Sequence, residues 1–109
     1  MSIAVFIVDP VDDFERSFTI PVATESFYRQ YWVPAIADLD LQWLALFENG
    51  VDVEQEDVPA VLGEVSRLKE WARANMHGDD LEHMLRRLEL LEAELPKAYR
   101  RGGAVVYIG

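Results

Sequence analysis

Hydrophobic and polar residues follow two different rhythms along this chain, and the change of rhythm sketches the architecture. The first apolar run, Ile3 to Val8, is short and closed by Asp9-Pro10, a turn signal, so it reads as a buried strand. Residues 10–22 keep no single period and contain two prolines; they read as a loop with a short extended piece around Phe18 to Ile20. Thr24 then has the character of a helix N-cap, with Glu25 well placed in the first turn. Phe27, Tyr28, Tyr31, Trp32, Ala35, Ile36 and Leu39 recur at steps of three and four, which predicts a helix from about Glu25 to Asp38. Pro34 removes one backbone hydrogen bond and should kink or split it.

The next segment, Leu41 to Phe47, fits helix or strand. Apolar residues at its odd positions, with Asn49-Gly50 as a tight turn and Val51 and Val53 alternating with acids beyond, favour a short hairpin or a strand followed by a turn. From about Gln55 to Asn75 the period is helical, with Val58, Val61, Leu62, Val65, Leu68 and Ala72 on one face and Pro59 tolerated near the start. His77-Gly78 breaks the chain. A second helix is predicted from about Asp79 to Ala98, its stripe made of Leu81, Met84, Leu85, Leu88, Leu91 and Leu95, with Pro96 distorting the last turn. The short connection makes these two helices antiparallel neighbours. After Gly102-Gly103, Ala104 to Ile108 reads as a closing strand. The expected fold is α+β: one domain over residues 1–109, a small sheet including the N- and C-terminal strands, packed against about three helices, two of them a hairpin. Economy of layout would put the terminal strands side by side.

Composition adds little to the fold and more to function. The chain has 109 residues, half of them apolar, enough for one core and too few for two. It has no cysteine, which removes disulfides, thiolate metal ligands and a cysteine nucleophile, and fits a cytoplasmic location. No apolar run approaches the roughly 20 residues of a membrane span, and no basic region precedes the first strand as a secretory signal would need. The charge is uneven: residues 1–57 carry the entire net −10, and residues 58–109 balance. That asymmetry disfavours nucleic acid and anionic membranes, and would attract a basic partner or keep the protein in solution.

Three clusters could carry chemistry. Asp9, Asp12 and Asp13 follow the first strand, as carboxylates do in some metal-dependent phosphoryl-transfer sites. The supporting parts are missing, since Lys69 and Lys97 are the only lysines and both fall on predicted helices. The plainer reading is a solvated acidic loop, with a small metal-dependent enzyme as the competing one. His77 and His83 lie six residues apart and match no zinc spacing. Glu48, Asp52, Glu54, Glu56 and Asp57 place five acids in ten residues around a predicted turn and helix start. The helix N-terminus accounts for Glu56 and Asp57, leaving Glu48, Asp52 and Glu54 as either a solvated face or a surface for Lys and Arg of another protein. Leu90 sits off the stripe of its helix, and so contacts another element or a partner, including a second copy in a homodimer.

In size, acidity, lack of cysteine and layout, the chain resembles the small immunity proteins of bacterial toxin–immunity systems; the acid excess that includes Asp52, Glu54, Glu56 and Asp57 is part of that likeness. The resemblance implies a non-catalytic, cofactor-free cytoplasmic protein that neutralises a cognate basic toxin by binding it. No diagnostic motif accompanies it, so no family residues carry over. The competing expectation is a self-associating structural module.

Overall fold

The computed structural model describes all of residues 1–109. Four antiparallel strands, β1 (Ser2–Ile7), β2 (Thr19–Thr24), β3 (Val51–Glu54) and β4 (Val105–Ile108), lie in the order β2-β1-β4-β3. The terminal strands are neighbours, with Val5 opposite Ile108 and Phe6 opposite Tyr107. The α+β expectation, with both chain ends in the sheet, therefore holds. One cluster of 28 buried side chains joins one face of the sheet to the helices, so a single core organises the chain.

The sheet is one-sided. Ile3, Val5 and Ile7 of β1 are buried, while Ser2 and Phe6 are exposed and Ala4 is half-buried. The first strand is thus buried on one face only, whereas its unbroken apolar run predicted burial on both. With helices covering a single face of an antiparallel sheet, the other face stays open.

Residues 10–22 are more ordered than their sequence pattern foretold. Asp12 caps a short helix, α1 (Asp13–Ser17), by accepting a hydrogen bond from the Glu15 amide at 2.8 Å, and β2 follows directly. A β-bulge hid this strand: the register against β1 shifts between Ile3 and Ala4, so Val22 and Ala23 both turn inward and alternation is lost. Pro21 fits because β2 is an edge strand and Pro21 faces outward.

Thr24 does cap the next helix, accepting from the Phe27 amide at 3.2 Å. The helix is divided just before Pro34, as that residue foretold: α2 (Glu25–Phe27) passes through a π-helical turn (Tyr28–Trp32) into α3 (Val33–Leu39), with the Val33 amide donating to the Tyr28 carbonyl. The wider turn carries the chain past the residue that lacks an N–H. Tyr28, Trp32 and Ala35 point into the core from it.

Leu41 to Phe47 is not a strand or hairpin. Asp40 ends α3 in the left-handed region (φ 53°), and a 3₁₀ turn (Leu44–Leu46) follows. Leu41, Leu44 and Phe47 are buried, a spacing of three, so the odd-position alternation misled. The cause is remote. The carboxylate of Glu64 accepts the consecutive amides of Gln42, Trp43 and Leu44 at 2.9–3.1 Å, which a strand could not present to one acceptor. The Tyr28 hydroxyl, donating to the Leu44 carbonyl at 2.6 Å, pins the segment from the core side. Burial pushes that phenol's pKa up to about 12.

The two long helices appear as predicted. α4 (Val58–Asn75) follows a 3₁₀ turn (Gln55–Asp57) and has Pro59 in its first turn; α5 (Gly78–Glu94) ends in a 3₁₀ turn at Leu95–Ala98, where Pro96 lies. Gly78, expected to close the first helix, opens the second at φ 69°. α5 folds back on α4 through Met76 and His77. Leu90 is half-buried beside the core and lines a shallow groove with Phe14, Phe18 and Ile20, which accounts for its off-stripe position. No helix is long and apolar enough to cross a membrane.

Candidate functional site

The predicted acidic segment wraps the corner where β3 leaves the sheet. Strand alternation turns Val51 and Val53 toward the core and Asp52 and Glu54 outward. The 3₁₀ turn that follows is closed by a capping box: the Asp57 carboxylate accepts the Glu54 amide at 3.1 Å, and the Glu54 side chain accepts the Asp57 amide. Local structure therefore explains Asp57 and part of Glu54. Their charge remains uncompensated. The carboxyl of Glu54 is held above its ordinary pKa chiefly by hydrogen-bonding contact and repulsion with Glu56, with Asp57 and Asp52 adding to it. A shallow depression of about 540 Å³ lies beside the pair, lined by Glu54, Gln55 and Glu56 on one side and Gly103, Ala104 and Val105 on the other.

Glu48 separates from this group. Its carboxylate accepts from the Arg29 guanidinium at 2.9 Å, a partner nineteen residues away in sequence. Four of the five predicted residues thus share one corner, Asp52, Glu54, Glu56 and Asp57. None of them belongs to any of the ion pairs within 4.0 Å. Several bases elsewhere are engaged: Lys69 lies between Glu89 and Glu92, Arg73 meets Glu70, and Lys97 meets Glu94.

The aspartates after β1 do not converge. Asp12 caps α1, Asp13 pairs with Arg16 at the surface, and Asp9 occupies a turn with φ 49°. No group of three or more His, Asp or Glu side chains is arranged to hold a metal ion. His77 precedes α5, whereas His83 packs edge-on against Phe27 at 5.1 Å, so the histidines do different things. The charged centre of this region is Glu15, which the sequence pattern did not single out. It is 2 % exposed, and its carboxylate accepts the Val11 amide and two guanidinium N–H groups of Arg101, each at 3.1 Å. The Arg101 hydrogen bonds hold the Glu15 pKa below its usual range. This pair staples the loop after β1 to the turn before β4.

Two further residues near the acidic corner escaped the sequence pattern. Phe6 and Tyr107 stand opposite one another on β1 and β4, on the open face of the sheet, 47 % and 39 % exposed. Tyr107 is also the register partner of Asp52. Its ring lies over two glycines: a Cβ built on Gly50 would fall 1.9 Å from the Tyr107 hydroxyl oxygen, and one on Gly109 would fall 2.7 Å from it. Strand alternation alone would have pointed to Phe6, between the inward Val5 and Ile7, had the sheet been recognised as one-sided. The glycine support of Tyr107 has no local signal, because Gly50 and Tyr107 meet only when β3 pairs with β4.

Comparison with protein-family models, curated proteins and solved structures returns no match.

Proposed function

We propose that this protein is a non-catalytic binding domain that engages a cationic partner protein through the β3 corner, in the manner of an immunity protein that neutralises a basic toxin. The observation behind this reading is the corner itself: Asp52, Glu54, Glu56 and Asp57 gathered on one exposed bend with no Lys or Arg side chain within ion-pairing distance. Folding alone gives no reason to crowd Glu54 against Glu56, because like charges in contact oppose the folded state. A Lys- or Arg-bearing surface would relieve that repulsion on binding, and would be steered to it by the net charge of −10. Glu48, neutralised by Arg29, is a minor contributor in this reading. A reducing cytoplasmic setting belongs to it as well, because the chain has no cysteine.

Affinity capture from the native cell, together with the product of the neighbouring gene, provides the test. A cationic protein should be retained by the wild-type chain, released by salt, and bound at least about tenfold more weakly by the Glu54→Lys/Glu56→Lys variant. Equal retention by both would remove the corner from consideration. The second reading, a self-associating module, draws on the exposed Phe6 and Tyr107. Sedimentation of the purified chain separates the two, since a monomer across a wide concentration range excludes it.

A further inference from the structure

Building on the reading of the β3 corner as a site for a cationic protein, we infer that the open face of the sheet, centred on Phe6 and Tyr107, is the apolar centre of the same interface, with the carboxylates as its rim. The occupant is a protein surface that presents an apolar side chain flanked by Lys or Arg. Phe6 and Tyr107 are cross-strand neighbours in the middle of the four-stranded sheet. The other exposed large apolar residues are separate in sequence and element: Met1, Val11, Val33 and Leu46. Only Phe6 and Tyr107 among them are register partners on adjacent strands.

The face is also prepared for contact. Strands hold both rings on rigid backbone, and the Tyr107 ring rests against Gly50 and Gly109, so little freedom is lost when a partner covers it. Aromatic anchors at the centre and charged groups at the edge is the usual anatomy of an interface. Here the edge has one sign. No strand contains Lys or Arg, and the charged strand residues are Asp52 and Glu54, the former opposite Tyr107. Arg101, the nearest base along the chain to β4, is bound to Glu15, and its neighbour Arg100 lies over the Phe14 ring. Charge therefore selects among occupants. A second copy of this chain would bring a further net charge of −10 to the contact, whereas a cationic surface would satisfy the carboxylates.

Amide chemical-shift titration of the full ¹⁵N-labelled chain with two short synthetic peptides of equal positive charge, one alternating Arg with Leu and the other Arg with Gly, tests the assignment. The Arg-Leu peptide should bind about tenfold tighter and shift the amides of Phe6 and Tyr107 as well as those of Asp52 and Glu54. Phe6→Ser should abolish that advantage, whereas Val33→Ser, at a comparably exposed apolar residue on α3, should leave it intact. Equal binding of both peptides with shifts confined to the β3 corner would overturn the apolar centre and leave the acidic surface standing. Absence of binding by either would remove both. Concentration-dependent shifts at Phe6 and Tyr107 without peptide, with a doubled mass in sedimentation, would assign the face to a second copy and overturn the inference in favour of a homodimer.

Discussion

Glu15 and Glu54 are both surplus acids of the same strongly anionic half of the chain, and the fold treats them oppositely. Around Glu15 the carboxylate is buried, every oxygen is engaged, and Arg101 holds its pKa below the usual range. Around Glu54 the carboxylate is exposed and faces Glu56, and its pKa is raised. One region uses charge to close a loop. The other leaves charge unmatched at the surface, where it destabilises the free protein and is available to an outside cation. Acidity counted along the sequence cannot separate these two uses; only the partner of each carboxylate can.

Breaking the closed region should have the largest effect. Arg101→Ala leaves a buried carboxylate without its counter-ion, and the thermal midpoint should fall by roughly 10 °C or more. Calorimetry checks this, and an unchanged midpoint would mean that Glu15 is satisfied by other means. Next in size is Gly50→Ala, which probes the neutral support of the open region. A side chain there meets the Tyr107 ring and a backbone at φ 95°, so a loss of about 1–3 kcal/mol is expected in urea unfolding.

The pH dependence separates the two glutamates by sign. Glu15 has a lowered pKa in the folded state, so its contribution is present above the ordinary value of 4.5 and is lost as pH falls through the lowered value. Glu54 has a raised pKa, so the folded state takes up its proton more readily. Its unfavourable contribution is full above the raised value and disappears as pH falls through that value toward 4.5. Glu54→Gln should therefore be more stable than wild type at pH 7, with the difference shrinking as the acid range is approached. Glu15→Gln should be less stable at pH 7 and converge with wild type only in stronger acid. Urea midpoints at pH 7, 5 and 3 would show it; parallel curves for the two variants would erase the contrast. The smallest effect is reserved for the paired surface charges of the helices: Lys97→Ala, breaking an exposed contact with Glu94, should stay within about 0.5 kcal/mol of wild type.

The legible parts of the fold were those governed by local period. The stripes of α4 and α5, the Thr24 cap and the terminal strand at Val105–Ile108 all express constraints within a few residues of each other. The misread parts each have a distant cause. Leu41 to Phe47 curls because Glu64, some twenty residues on, gathers its amides. β2 was obscured by a bulge set by its pairing with β1. The unbroken apolar run of β1 gave no hint that one of its faces would remain uncovered. The candidate site divided in the same way, since the capping box at Glu54 and Asp57 is local and the diversion of Glu48 to Arg29 is not.

By itself, then, the sequence determined the two long helices, the strands at both ends, the absence of thiol chemistry and the half of the chain in which the net negative charge resides, because period and composition are properties of neighbouring residues. Tertiary structure decided which carboxylates meet a guanidinium, which meet one another, and which sheet face carries Phe6 and Tyr107 into solvent. Arg101 reaches Glu15 across 86 residues of chain, and Tyr107 reaches Gly50 only through strand pairing. Contacts of that span depend on how whole elements pack, which no local pattern encodes.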